Sequence, residues 1–322
     1  MPVAAILSSL LLGLNTADAP PPRQQDQAQT ALPDVTITGR PTSEAVRDFV
    51  GRIAAPVYRR GLAKWEMRVC PGVANLSRDA AQALVDRITA VAADLDIPTG
   101  DPGCDPNLVV VFTTDGPGVA QALVAAQPDL FQPNVSGVDR GPAAMRDFQH
   151  GDAPVRWWSL SLPVDSDTGQ RAVRVPGQRS MESIDSTLAR QLGCNPSDCA
   201  LAYAPMIRIR GASRLRTQIV DVLFKTVIVV DVNRMGQVDT AQLGDYLALV
   251  GLAQIDPGAD TAGFDTVLNL FDDGGQTGLT EWDRSYLQAL YAPRTDLTSP
   301  NAQATAVAGI MTRDRRAAAR AE

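Results

Sequence analysis

The sequence predicts an α/β (α+β) protein, a single globular domain in which helices pack on a mixed sheet. Two apolar runs rich in β-branched residues, Leu108–Phe112 and Val227–Val230, have the composition of strands that are covered on both faces. Segments with apolar residues at helical spacing lie between and around these runs. A third extended run, Val155–Leu162, is joined to Arg171–Val175 by the turn-forming residues 165–169, which is typical of a hairpin.

The first helices are predicted from their N-caps and their apolar faces. Ser43 begins one helix, Ser77 begins another, and Gly116–Ala126 predicts a short third one. The apolar face of the first helix consists of Val46, Phe49, Val50 and Ile53. The apolar face of the second consists of Leu84, Val85, Ile88, Val91 and Leu95.

The central unit of the chain, residues 227–256, predicts a buried strand, a tight loop and a long helix. Asp231 and Gly236 mark the loop. Apolar residues then recur at helical spacing, with Thr240 as the predicted N-cap and Pro257 as the end of the helix. Farther on, the pattern predicts a short helix near Phe264–Phe271 and a longer one from Thr280 to Tyr291.

Trp157 and Trp158 are adjacent on a predicted strand, so their side chains must point to opposite faces of the sheet. One ring therefore belongs to the core. The other is either covered by a second layer or exposed as an aromatic binding surface, and we favour the second layer.

The N-terminal residues 1–19 have the features of a secretory signal peptide. Residues 4–14 form an apolar core, and residues 17–19 are an A-x-A cleavage motif followed by prolines. The apolar segment is shorter than the ~20 residues that a membrane span needs, and no other stretch is long and apolar enough. We therefore expect an exported protein, periplasmic or secreted, without a transmembrane helix in the mature chain.

Composition divides the remainder of the chain. Residues 20–40 are rich in proline and glutamine and predict a disordered linker. The globular domain is expected at residues 41–293, and residues 294–322 are an Ala/Arg-rich tail. The arginines predicted to lie on the solvated surface of this tail are Arg313, Arg315, Arg316 and Arg320.

The four cysteines of the chain predict two disulfides. An even number of cysteines in an exported protein is typical of a disulfide framework, and four allow three connectivities. We favour Cys70–Cys104, which would join the ends of the segment 71–103, and Cys194–Cys199, which would close a tight loop. Metal binding is the alternative, but no C-x-x-C pair is present.

Several classes of function are disfavoured by composition. A net charge of -7 argues against a nucleic-acid partner. A single histidine, His150, gives no basis for a Ser-His pair or a histidine-ligated zinc site, and neither a P-loop nor a dinucleotide fingerprint follows a strand. A carboxylate-dependent hydrolase stays open, because its catalytic acids have no local spacing rule.

The loop 231–242 resembles the calcium-binding loop of an EF-hand. The residues at its first, third and ninth positions are Asp231, Asn233 and Asp239. Gly236 occupies the sixth position, but Gln242 at the twelfth cannot give the bidentate carboxylate of that family. The resemblance implies a calcium-stabilised module, and the alternative interpretation is a strand-to-helix turn in which an aspartate caps the helix.

Residues 240–293 resemble the back half of a zincin-type metallopeptidase. In zincins, one helix carries HExxH followed by a small apolar patch, which aligns with residues 250–252. The residues at the first histidine, the glutamate and the second histidine are then Gly244, Asp245 and Ala248. Residues 265–269 are similar to the Met-turn of these enzymes, and residues 279–293 to their closing helix.

The departures from the zincin pattern imply that the fold is retained and that the hydrolytic reaction is lost. Gly244 and Ala248 cannot bind a metal, and Asp245 has no zinc-bound water to activate. The whole chain is similar to exported bacterial proteins of unknown function, which carry the phrases W-x-x-x-V-C-P (Trp65–Pro71) and S-R-L (Ser213–Leu215). We therefore expect a non-catalytic protein of the bacterial envelope, without a cofactor, that binds another protein or an envelope component.

Overall fold

The computed structural model describes residues 42–57, 60–131, 140–166, 219–272, 276–292 and 300–321. The strands are β1 Pro71–Ala74, β2 Leu108–Thr113, β3 Val155–Asp165 and β4 Ile219–Asp231. The helices are α1 Thr42–Ile53, α2 Arg78–Asp94, α3 Gly116–Ala126, α4 Pro128–Phe131, α5 Gly141–His150, α6 Thr240–Leu252, α7 Glu281–Tyr291 and α8 Pro300–Ala321. Residues Val267–Asn269 form a 3₁₀ helix.

The four strands form a mixed sheet in the order β1-β2-β4-β3. β1, β2 and β4 run parallel, whereas β3 is antiparallel to β4. The parallel pair β1 and β2 needs a crossover connection, which α2 supplies. The predicted combination of helices with a mixed sheet is therefore confirmed.

Helices cover both faces of this sheet. On one face, α1, α2, α6, α7 and α8 enclose the larger core, which includes Trp157. On the other face, α3 and α5 pack over a smaller core that includes Trp158. Both indole rings are buried, so the predicted second layer over the tryptophan pair is confirmed.

The apolar faces of the first helices agree with the sequence better than their N-caps do. Ser77 is the N-cap of α2, although its side chain makes no capping hydrogen bond. Helix α1 begins at Thr42, so Ser43 lies inside its first turn and the predicted N-cap at Ser43 is wrong. All four predicted apolar residues of α1 are buried, and so are Leu84, Ile88 and Val91 of α2.

The N-cap of α6 is Asp239, so the predicted cap at Thr240 is wrong by one residue. The carboxylate of Asp239 accepts a hydrogen bond from the backbone N–H of Gln242, and the side-chain oxygen of Gln242 accepts one from the N–H of Asp239. This reciprocal capping box satisfies two N–H groups that the helix itself leaves without partners.

The helix α6 ends at Leu252, before the predicted stop at Pro257. Ile255 continues the apolar spacing but forms an isolated antiparallel bridge with Ala54. Beside this bridge, the backbone N–H of Asp256 donates to the carbonyl oxygen of Ile53. Contacts with the segment after α1 therefore end the helix.

Helix α8 lies within the segment that composition assigns to a tail, and it packs against α1 and α7. Its inward residues Val307, Ala308 and Met311 are buried. The Gln303 side chain accepts a hydrogen bond from the backbone N–H of Leu62 at 2.9 Å. These contacts make α8 part of the same compact unit as α1 and α7.

Within the described segments, no helix has the length and apolarity that a membrane crossing requires. Several predicted features lie outside the described residues: the signal peptide 1–19, the linker 20–40, Arg171–Val175, Cys194, Cys199 and Ser213–Leu215.

Candidate functional site

The positions aligned with the zincin histidines lie in the interior of the protein. Every residue of α6 from Leu243 to Leu252 is buried. A Cβ atom on Gly244 would lie 2.9 Å from Cγ of Arg87, so α2 fills the space that a larger side chain would need. Ala248 is fully buried. The structure therefore leaves no room for a metal-binding side chain at Gly244 unless Arg87 moves.

Asp245 is hydrogen-bonded through both carboxylate oxygens. Its Oδ1 lies 2.5 Å from Nε of Arg87, and its Oδ2 accepts a hydrogen bond of 3.0 Å from the backbone N–H of Leu279. Gly278, with φ of 158°, brings the backbone close to Oδ2. Asp245 thus connects α6 with α2 and with the segment that leads into α7.

Asp231 connects the end of β4 with the beginning of α3. The residue is 3% exposed. Its Oδ2 accepts a hydrogen bond of 3.2 Å from the backbone N–H of Gly116, and its Oδ1 accepts one of 3.1 Å from the N–H of Asn233. The guanidinium of Arg234 lies 3.5 Å from the same carboxylate. Each oxygen therefore already has a donor.

The other two residues of the EF-hand-like loop make separate contacts. The side-chain amide of Asn233 donates to the carbonyl oxygen of Thr114, whereas Asp239 caps α6. In the part of the chain that the structure describes, no group of three or more His, Cys, Asp or Glu side chains is arranged to hold a metal ion. The loop geometry is that of a strand-to-helix turn, with Gly236 at a positive φ of 64°.

Arg156 is a buried charge that the sequence analysis missed. It lies within β3 and is 3% exposed. Its two terminal nitrogens donate to the carbonyl oxygens of Phe148 and Ala153. Burial lowers the pKa of the guanidinium, and the nearby carboxylate of Asp231 counteracts this effect. An arginine followed directly by two tryptophans in a predicted strand was the signal that could have indicated it.

The structure contains the predicted disulfide between Cys70 and Cys104, with the Cα atoms 6.1 Å apart. Cys70 immediately precedes β1, and its backbone N–H donates to the side-chain oxygen of Asn107, which precedes β2. The disulfide therefore joins the crossover segment at the end where both parallel strands begin. Cys194 and Cys199 lie outside the described residues.

A cleft of about 330 Å³ separates α7 from the last two turns of α8. The residues of α7 in this cleft recur at helical spacing, so they share one face of the helix. The side chains that matter for its chemistry are Glu281, Arg284 and Ser285 from α7, and Asp314 and Arg315 from α8.

Arg315 is held in place at the edge of this cleft by an aromatic cluster. Its guanidinium carbon lies 4.2 Å from the centre of the Trp282 ring, a cation–π contact. Trp282 in turn meets Phe49 edge-on, at 5.1 Å between ring centres. Of the four tail arginines, Arg313, Arg316 and Arg320 are exposed as predicted, but Arg315 is not a simple surface charge. This contact joins two helices and has no local sequence signal.

The comparisons with known proteins give no family assignment. No protein-family model, no curated protein and no solved structure matches the chain. The contacts described above are therefore the basis for assigning a function.

Proposed function

We propose that this chain is a non-catalytic, exported envelope protein that binds a partner on a degenerate zincin-like scaffold. The observation that carries the proposal is the state of Asp245. Arg87 and the N–H of Leu279 each donate to one of its oxygens, and Arg87 of α2 lies beside Gly244. These contacts support a structural role for Asp245 and, with it, a non-catalytic function.

Export is supported by the disulfide and by the features of residues 1–19. Disulfides persist mainly in oxidising compartments such as the periplasm or the extracellular medium. The pair Cys70–Cys104 fits such a compartment, and the A-x-A motif at residues 17–19 supplies a cleavage site. A mature N-terminus at Pro20, found by mass spectrometry of the secreted or periplasmic protein, is the expected result. An uncleaved protein in the cytoplasm would contradict this part of the proposal.

The absence of catalysis is tested by a hydrolysis assay on the purified protein. The assay measures cleavage of a peptide library in zinc and in EDTA, with Asp245→Ala as the matched variant. We expect no cleavage in any arm. Cleavage that EDTA abolishes and that Asp245→Ala also lacks would show that Asp245 is a working general base, and the proposal would then be wrong.

A further inference from the structure

Three arginines lie on one side of helix α8. Arg313, Arg316 and Arg320 are three and four residues apart, so their side chains share one face of the helix and span about 10 Å along its axis. All three are exposed. Val307 and Met311, which are buried, lie on the opposite side of the helix. The three arginines, which we call the arginine face, therefore point away from the core.

The arginine face has no acidic counterpart on its own helix. Asp314, the only acidic residue in the sequence of α8, lies on the side that lines the cleft with α7. None of the three arginines forms an ion pair with another residue in the part of the chain that the structure describes. Three positive charges thus stand together on a chain whose net charge is -7.

The stability of the helix does not explain this arrangement. Like charges three or four residues apart repel each other, and both neighbouring pairs of the arginine face have this spacing. The helix dipole favours a basic residue near the C-terminus, but only within the last turn. It therefore favours Arg320 and not Arg313 or Arg316. A negatively charged partner would relieve the repulsion.

The residues beside the arginines favour a lipid surface as this partner. The exposed residues between positions 313 and 320 are arginine, alanine and aspartate. A protein interface usually depends on a central aromatic or apolar anchor, and a helix that inserts into a bilayer uses bulky apolar residues. Attachment to anionic headgroups needs neither, because it depends on charge.

We propose that the arginine face attaches the protein to the surface of a membrane that contains anionic phospholipids. The outer side of α8 lies along the surface, and the guanidinium groups donate to phosphate oxygens, a contact that arginine can make through two parallel N–H groups. Each basic residue near such a surface strengthens binding about fivefold, so three strengthen it about a hundredfold. The negative net charge of the chain opposes contact through other surfaces, so attachment is oriented. This inference rests on the proposed binding function and names the envelope component.

The test is co-sedimentation of the purified protein with two kinds of vesicle. One kind is phosphatidylcholine alone, and the other contains one third phosphatidylglycerol. We expect binding to the anionic vesicles that weakens as salt is added, because salt screens exposed charges, and much less binding to the neutral vesicles. The neutral vesicles also measure any attachment through the apolar residues 4–14, which needs no anionic lipid. Equal binding to both kinds, or none to the anionic vesicles, would overturn the inference.

A triple variant locates the contact. Replacing all three residues of the arginine face by glutamine should weaken binding to the anionic vesicles about a hundredfold. A control triple variant changes the net charge by the same amount at exposed positions outside α8, and it should bind far more tightly than the first. Equal losses would mean that net charge and not the arginine face determines binding, which contradicts the proposal. The arginines replaced by glutamine in the control are Arg68, Arg78 and Arg146.

Arg316→Gln separates binding from folding. Arg316 has an arginine on each side of it along the face, so its replacement should weaken binding about fivefold while the melting temperature stays equal or rises. A lower melting temperature with unchanged binding would assign Arg316 a structural role and contradict the proposal. Poly-glutamate is the competitor for a protein partner. If it bound the arginine face more tightly than the anionic vesicles do, an acidic protein would replace the membrane as the partner.

The two proposals fail in different ways. Hydrolysis of peptides by a protein that also binds anionic vesicles through the arginine face would remove the non-catalytic function and leave the membrane contact in place. No hydrolysis and no vesicle binding would remove the membrane contact and leave the non-catalytic function.

Discussion

Nε of Arg87 on α2 lies 2.5 Å from Oδ1 of Asp245 on α6, and the second oxygen of that carboxylate holds the N–H of Leu279. One acidic side chain therefore ties three segments of the chain together. The zincin resemblance gives this residue the position of a general base. Its contacts are those of a structural anchor.

Asp245→Ala should lower the free energy of unfolding by about 1–3 kcal/mol, because the buried N–H of Leu279 loses its acceptor. Arg87→Met is the matched variant. It keeps the methylene groups that pack against Gly244, and it removes a charge on a side chain that is 36% exposed, so it should cost only about 0–1 kcal/mol. Urea denaturation measures both values. Equal losses for the two variants would show that the ion pair, and not the contact with Leu279, is the main contribution.

Gly251→Ala should destabilise the protein although alanine favours helices. A Cβ atom at this position would lie 2.7 Å from Cδ1 of Leu108, and such overpacking typically costs about 1–3 kcal/mol. Gly51→Ala in α1 is the control, because its added Cβ has no neighbour within 4 Å beyond the adjacent residues and the backbone of its own helix. That change should raise the free energy of unfolding by about 0.5–1 kcal/mol. Stabilisation by both alanines would mean that α6 and β2 can move apart at no cost.

Local sequence signals were sufficient to predict the bounds of those helices whose ends depend on local contacts. Gly116–Ala126 was predicted with its observed bounds, since Asp115 caps it and Pro117 lies in its first turn. The end of α6 depends instead on the bridge between Ile255 and Ala54. That contact joins residues about two hundred positions apart, and periodicity alone carries no information about it.

Removal of the disulfide should destabilise the protein without changing its fold. Cys70→Ala combined with Cys104→Ala should lower the free energy of unfolding by about 2–4 kcal/mol. Chemical denaturation of the variant and of the parent measures the difference, and reduced parent protein is the control. Mass mapping of unreduced peptides should also show the two cysteines linked, and free thiols at both would contradict the structure.

Asp283 should make the free energy of unfolding depend on pH in the acid range. The side chain is fully buried, and burial raises its pKa above the ordinary value of 3.8, while hydrogen bonds from Thr266 and Thr280 counteract the shift. The folded state therefore holds this proton more tightly than the unfolded state. Its contribution to stability is fully present below pH 3.8 and decreases as pH rises through the pKa of the folded state.

The measurement is the free energy of unfolding from about pH 3 to 7 for the parent and for Asp283→Asn, which does not titrate. The free energy of unfolding of the parent minus that of Asp283→Asn should decrease as pH rises. If this difference grew with pH, the hydrogen bonds to the carboxylate would have a larger effect on its pKa than burial has.

Asp231→Ala tests the calcium interpretation of the loop 231–242. Its carboxylate accepts hydrogen bonds from the N–H groups of Gly116 and Asn233, so its loss should lower the melting temperature equally in EDTA and in calcium. A ligand at a hundred times its Kd would add about 2.7 kcal/mol. A calcium-specific rise in the parent that disappears in Asp231→Ala would replace the capping interpretation with a metal site.

The residues of the cleft show what a sequence cannot supply. Arg315 belonged to a group of four arginines with one common prediction, and only its contact with Trp282, more than thirty positions earlier, separates it from the others. Ser285 has no distinctive sequence context, and only the structure shows that its hydroxyl is buried without a hydrogen-bond partner. The chemistry of both depends on how α7 and α8 are placed, and no local pattern determines that placement.

The covalent ring from Cys70 to Cys104 also determines how the protein responds to force. If the two ends of the chain were pulled apart, the force would be carried by the S–S bond and not by the backbone of α2. At about 3.5 Å per extended residue, the 34-residue separation would withhold roughly 120 Å of contour length from the stretched chain. A machine that threads the protein from its N-terminus through a channel as narrow as one extended chain would therefore be stopped by the closed loop at Cys70 until the disulfide was reduced.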